Sequence, residues 1–164
     1  MHFIQGEIEG VIIIKLEKFS DERGFLVETF RIDNLPNNLR PVMSYISYTK
    51  PGIVRGPHEH QEQTDLFCFM GPGNFRIKLW DNRQSSKTFS NYTEMIGGKD
   101  NPIQVIVPPG VVHGYKNISE DEIGMVLNYP NKLYGGLNKK EKIDEIRYED
   151  KEDEFYLDFI KEDK

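Results

Sequence analysis

The sequence predicts an all-β fold in which many short strands close into a sandwich or barrel. Three observations carry that prediction. The first is composition: the 164 residues include no alanine, against seventeen Ile, nine Val, ten Phe and eight Tyr. Alanine is the strongest helix former, whereas β-branched and aromatic side chains suit a pleated, half-buried surface. A chain-wide bias toward Ile, Lys and Asn would deplete alanine too, so this observation supports the fold without deciding it. The second is punctuation. The chain has fourteen Gly and nine Pro, seven and five of which fall in clusters at 20–24, 50–52, 71–73, 97–102 and 108–110, and such clusters mark turns. The third is alternation, clearest over 74–81, where Phe75, Ile77 and Leu79 face one way and Arg76, Lys78 and Trp80 the other. That pattern reads as a half-buried strand.

Further strands are expected over 10–18, 24–30, 43–49, 65–70, 89–95, 103–107, 114–118 and 123–129, short segments separated by turn clusters such as these. No internal repeat or linker divides them. A chain of this length forms one core and buries roughly two-thirds of its unfolded surface. Helical pattern is confined to about 138–146. Residues 139–164 carry eleven acidic and seven basic side chains, so the chain reads as a β-barrel domain over 1–138 followed by a solvated, charged, partly helical appendage, not an independent domain.

The net charge of -6 disfavours a nucleic-acid partner. A single cysteine, Cys68, has no intramolecular partner for a disulfide. The opening residues lack a basic segment followed by a long apolar one, and the run Val11 to Ile14 is far too short to cross a bilayer. The expectation is a cytoplasmic protein without a membrane partner.

The four histidines are His2, His58, His60 and His113, and three of them sit in segments of recognisable spacing. Gly52, five residues, then His58-Glu-His60 matches the first cupin motif; Pro108-Pro-Gly110-Val-Val-His113-Gly-Tyr-Lys-Asn117 matches the second, about fifty residues on. The chain therefore resembles a cupin, which implies a double-stranded β-helix, or jelly-roll barrel. On a strand, residues two apart project to one face, so His58 and His60 reach the same cavity. Where metal-binding cupins supply a carboxylate this chain has Thr64, with Glu62 and Asp65 at neighbouring offsets.

Four segments in order resemble a narrower family, the 3,5-epimerases of dTDP-4-keto-6-deoxyglucose: DERGFLVETF at 21–30, GIVRGPH at 52–58, DNRQSSKTF at 81–89 and VPPGVVHGY at 107–115. The resemblance spans about residues 10–130 and implies metal-free proton abstraction next to a ketone, with no cofactor. It assigns His58 as the base, Arg23 and Arg55 as ligands of the diphosphate, and His113 and Glu28 as substrate contacts. The chemistry suits the types: imidazole titrates nearest neutrality, and guanidinium matches phosphate oxygens bidentately. For Arg23 and Arg55 ordinary surface ion pairing is the competing reading, and for His113 a structural turn.

The chain departs from the family at several places. The family lysine that faces the enolate is met by the stretch Leu66 to Phe69, and no lysine occurs between Lys50 and Lys78. The catalytic tyrosine position is met by Asn131 and Lys132, flanked by Tyr129 and Tyr134; the thymine-contacting Gln and Asn are Met43 and Tyr45; and the Asp that orients the base has no counterpart in the tail. His58-Glu-His60-Gln-Glu-Gln63 is similar instead to the 3,4-ketoisomerases of the same nucleotide sugars, which implies His60 as a second acid/base. Three readings thus stand: a nucleotide-sugar epimerase or isomerase, a metallocupin using His58, His60 and His113 with Glu62 or Asp65, and a non-catalytic sugar-nucleotide binder. Cupin relatives imply a homodimer, with Arg23 reaching the partner's pocket.

Overall fold

The structure, a computed structural model, describes residues 2–149 and 154–160. Thirteen strands occur among them: β1 (Ile4–Gln5), β2 (Ile12–Lys15), β3 (Lys18–Asp21), β4 (Gly24–Val27), β5 (Tyr45–Thr49), β6 (Val54–Glu59), β7 (Asp65–Phe69), β8 (Asn74–Asp81), β9 (Asn91–Gly98), β10 (Ile103–Val107), β11 (Val111–Asn117), β12 (Gly124–Asn128) and β13 (Ile146–Arg147), followed by helix α1 (Glu154–Ile160). Six of them form a sheet in the order β1-β9-β8-β11-β6-β13. Five form a second sheet, β2-β10-β7-β12-β5, while β3 and β4 make a separate hairpin. The non-sequential neighbours are those of a jelly roll, which hides its edges by packing two sheets face to face. The all-β, double-stranded β-helix expectation is met.

The facing surfaces interdigitate Phe67, Phe69, Phe75, Ile77, Leu79, Val105, Tyr115 and Val126, all at most 5% exposed. The continuous apolar runs of β7 and β10 follow from burial on both sides: the outer surface of their sheet is covered by Leu35 and Leu39, packed with Leu66, Cys68 and Ile106. Cys68 is free, and burial pushes its thiol up to about 12.

Three expectations change. Strand β8 is not half-buried, because Lys78 and Trp80 on its outer face are only 2% and 1% exposed. Trp80 lies under Phe155 and Phe159 of α1, with ring centroids 5.5 and 5.8 Å away. Helix therefore forms at 154–160, after the stretch where helical pattern was expected; 138–146 contributes only the end of a 3-10 turn, Leu137–Lys139. The part of the tail described here is also less solvated than its charge suggests. It adds β13 antiparallel to β6, pairing Arg147 with His58 and Ile146 with Glu59.

The DNRQSSKTF segment proves to be a side-chain-wired loop. The wholly buried Asp81 accepts from Arg83 Nε at 2.7 Å, Ser86 Oγ at 2.6 Å and Thr88 Oγ1 at 2.5 Å. Burial raises its pKa, but these donors outweigh burial and hold it at about 2, below the ordinary 3.8. A carboxylate depressed on folding stabilises above its unfolded pKa, and that stability is lost as pH falls through the folded one. Asp81→Asn is thus expected to cost about 2 kcal/mol at pH 7. The deficit should shrink toward zero between about pH 4 and pH 2, as followed by urea melts of both proteins.

Candidate active site

His58 reaches the interior because β6 bulges against β11. His113 pairs with His58 and Tyr115 with Arg55, so one extra residue is fitted on β6. Gly56 takes up the bulge at φ +77°, where a Cβ would lie 2.7 Å from the His113 carbonyl oxygen, so no other residue fits without a shift. The bulge brings His58 within 4.4 Å of His113 and 5.4 Å of His60, ring centroid to centroid. All three rings stand at one end of the barrel interior. There a cavity of about 940 Å³ is walled by Tyr45, Arg55, His58, Phe67 and Tyr115, with Tyr134 and Lys139 among the residues around it.

Burial, and then the neighbouring rings of His113 and His60, push the His58 pKa well below its ordinary value, so the imidazole is neutral. Its Nδ1 faces Glu145 Oε1 at 3.9 Å, and this carboxylate is only 12% exposed. The other oxygen of Glu145 accepts from both Nε and Nη2 of Arg147 at 3.0 Å. Glu145 arrives here because β13 pairs with β6. Next to it, Asp144 ties down the turn after β6, accepting from the backbone N–H groups of Gln61, Glu62 and Gln63 at 2.8–2.9 Å. A tail carboxylate, for which the sequence offered no counterpart to the family Asp, thus faces His58 in space. A residue 87 positions from His58, in a segment reading as charged surface, gave no sequence signal.

His60, expected as a second acid/base, also lines the cavity, and both of its ring nitrogens have partners. Nδ1 contacts the Asp144 carbonyl oxygen, while Nε2 meets Gln63 Nε2 at 3.1 Å and Asp65 Oδ2 at 3.2 Å. Burial lowers its pKa, but the Asp65 carboxylate and the Asp144 carbonyl more than reverse this, leaving it raised. His113 is 3% exposed, and its Nδ1 donates to the Val111 carbonyl at 2.9 Å. Its Nε2 also points at Asp65 Oδ2, 3.3 Å away. It stands behind His58 rather than on the cavity wall, which differs from the substrate contact assigned to it. Of the two carboxylates weighed for a metal, Glu62 is exposed and paired with Lys132, whereas Asp65 is inside. Burial would raise the Asp65 pKa, and the two histidines reverse this, holding it far below the usual carboxylate range.

Arg55 lines the cavity as expected, its guanidinium fixed by Nε donating to Thr49 Oγ1 and Nη2 to the Tyr48 carbonyl, both at 2.8 Å. Arg23 and Glu28 lie outside the cavity of their own chain. Arg23 sits on the β3–β4 hairpin, 84% exposed and paired with Asp21, and Glu28 pairs with Arg31 at 3.4 Å. Of the two tyrosines flanking the family position, Tyr134 lines the cavity, while Tyr129 packs on Phe30 and bonds Thr29. Lys139 and Arg147 also line the cavity. Neither could be placed there from sequence.

A base-like histidine, an arginine and a carboxylate around one barrel cavity fit several cupin chemistries; the comparison with known families separates them. The family profile described as dTDP-4-dehydrorhamnose 3,5-epimerase matches residues 5–154, nearly the whole chain. The chain belongs to the dTDP-4-dehydrorhamnose 3,5-epimerase family. Among curated proteins it is similar to the spore coat polysaccharide biosynthesis protein SpsL of Bacillus subtilis, 36% identical over 73% of this chain and 78% of that protein. It is likewise similar to the probable low-salt glycan biosynthesis epimerase Agl13 of Haloferax volcanii, 37% identical over 77% and 81%. Among solved structures, the dTDP-4-dehydrorhamnose 3,5-epimerase of Bacillus anthracis, with TDP and PPi bound, superposes with a TM-score of 0.69 at 25% identity, covering 80% of this chain and 78% of that one. In this epimerase-family chain, 5–154 takes in β13, so the matched region includes Glu145 as well as the two histidine motifs.

Proposed function

We propose that this protein is a nucleotide-sugar epimerase or isomerase acting on a 4-keto-6-deoxyhexose, with His58 as the base. The observation that carries the reading is the neutral, half-buried imidazole of His58 in a cavity, with the Glu145 carboxylate behind its Nδ1. That arrangement leaves Nε2 to take a proton from the carbon next to the ketone. The C–H bonding pair then moves into the enolate, and a proton is delivered to the opposite face by a second donor, the role we give to Tyr134, which flanks the family tyrosine position and lines the cavity, while Tyr45 and Tyr115 on its wall are hydrogen-bonded to Asn128 and Ser47. Arg55, already oriented, binds the diphosphate. His60, held at both nitrogens, and His113 position His58 and its surroundings instead of exchanging protons with substrate.

The membership of the family and the likeness to SpsL and Agl13 favour catalysis over a purely binding role. A nucleotide-activated sugar substrate fits a cytoplasmic enzyme; among the described residues no helix is long and apolar enough to cross a membrane. Incubation with a dTDP-4-keto-6-deoxyglucose substrate in deuterated water is expected to place deuterium at C3 or C5, read by NMR. Absence of both exchange and ketone migration would reject the function.

Arg23 and Glu28 keep their substrate roles only if a second copy presents them. The hairpin that carries Arg23 exposes Phe19, Phe25 and Leu26 at 51%, 59% and 60%, and the edge strand β5 exposes Tyr45, Ile46 and Tyr48. We read these apolar surfaces as the contact of a homodimer in which each hairpin reaches the other copy's cavity. Light scattering should give twice the 19.1 kDa chain mass, and Phe25→Asp with Leu26→Asp should shift it to one.

A further inference from the structure

Taking a proton from the carbon next to a ketone creates two charges at once. The base becomes an imidazolium, while the C–H bonding pair moves into a C=C bond and drives the carbonyl π pair onto oxygen as an enolate. Glu145 faces the first charge. The second calls for a fixed cation aimed at that oxygen, because preorganised donors at a developing oxyanion are usually the largest single contribution to such reactions. Arg55, Lys139 and Arg147 are the guanidinium and ammonium side chains around the cavity. The Arg55 guanidinium is turned to Thr49 and the Tyr48 carbonyl. Lys139 belongs to the exposed turn Leu137–Lys139, outside both strands that flank β6.

Arg147 is placed differently. It lies directly opposite His58 where β13 pairs antiparallel with β6, and opposed residues of such a pair project to one face with Cβ atoms about 5 Å apart. Glu145, two positions earlier, takes that face too, while Ile146 opposes Glu59 on the other. Imidazole, carboxylate and guanidinium therefore share the cavity side of one strand pair. The guanidinium is anchored but not saturated. Its Nε and Nη2 both donate to Glu145 Oε2 at 3.0 Å, and Nη1 lies 3.5 Å from Glu149 Oε1. The fork carries more N–H donors than these carboxylates take up, and the side chain is 48% exposed. Burial first, then the rings of His113 and His60, lower the His58 pKa, and the Arg147 charge adds to them, so the guanidinium is within electrostatic reach of the base. Before reaction Glu145 and Arg147 neutralise each other. After proton transfer, imidazolium with Glu145 and guanidinium with enolate make two neutral pairs.

We propose that Arg147 is the catalytic cation of this site, its remaining Nη donors holding the substrate's carbonyl oxygen as that oxygen becomes an enolate. This deepens the proposed function and rests on it.

The test follows deuterium entry from solvent into a dTDP-4-keto-6-deoxyglucose substrate by NMR, using the full chain. Arg147→Met is expected to lower kcat about 10²- to 10³-fold, the usual loss for one donor at a developing oxyanion, while dTDP binding stays within a few-fold of wild type. Arg147→Lys, which keeps the charge but not the fork, should recover at least about tenfold of that loss. Arg147→Gln, whose amide can still donate to Glu145, is the second variant should Arg147→Met not fold, and its kcat should fall at least about tenfold. A guanidinium that only held Glu145 in place would add little loss to Glu145→Gln, whereas contact with the enolate makes the two losses multiply in the double variant. Exchange within about threefold of wild type in folded Arg147→Met or Arg147→Gln overturns the proposal, as does a double variant no slower than Glu145→Gln alone. If the wild type exchanges nothing, the epimerase reading falls and the role of Arg147 with it. If the wild type exchanges and the variants match it, only the role of Arg147 falls.

Discussion

His58→Asn is expected to lower kcat for deuterium exchange by about 10² to 10⁴, the usual range for loss of a positioned base. Asparagine keeps a polar group of similar reach but has no nitrogen lone pair to accept a proton. Arg55 is held by Thr49 and the Tyr48 carbonyl, not by His58. Binding of dTDP, measured by calorimetry, should therefore stay within a few-fold of wild type. Loss of nucleotide binding together with loss of exchange would mean that His58 holds the pocket's shape and is not the base. Activity unchanged within about threefold would remove His58 from the chemistry altogether.

Glu145→Gln should lower kcat by about 10- to 100-fold with little change in KM, because its work is to orient and stabilise the imidazolium that forms on proton transfer, an effect reaching about 10⁴ in the tightest such pairs. The 3.9 Å separation is longer than a hydrogen bond, which places the expected effect below that ceiling; such contacts tighten when substrate binds. Glutamine can still accept from Arg147, so β13 should stay paired and the melting profile should barely change. The deciding measurement is the double variant. If Glu145 acts only through His58, adding Glu145→Gln to His58→Asn costs little more, whereas a full additional loss would give Glu145 a separate role such as gripping substrate.

Both predictions rest on a residue pair whose two members were not equally visible. His58 lies in a motif whose spacing sets two histidines on one face of a strand, and that local geometry needs nothing beyond the strand itself. Glu145 lies in a stretch where acidic and basic residues alternate as on any solvated surface. Only the antiparallel pairing of Arg147 with His58 turns that stretch into a wall of the site. The same holds for Asp65. In sequence it was one of two nearby carboxylates at an unexpected offset, and the barrel decides between them by burying Asp65 under Asn128 and Gln63 while leaving Glu62 to Lys132. For His60 the sequence showed the facing but not the partners that hold both of its nitrogens.

The sequence by itself determined the all-β class and the two-motif barrel that carries His58 and His113. These follow from short-range rules: turn residues every few positions, alternation along strands, and spacing within one strand. The tertiary structure alone decided that α1 covers the outer face of β8, that Arg23 and Glu28 lie away from their own chain's cavity, that Glu145 and Tyr134 line it, and that Asp65 is buried between His60 and His113. Each of those depends on which distant strand or loop lies alongside. That choice is made by pairing and burial summed over the whole barrel, so no local pattern in the chain encodes it.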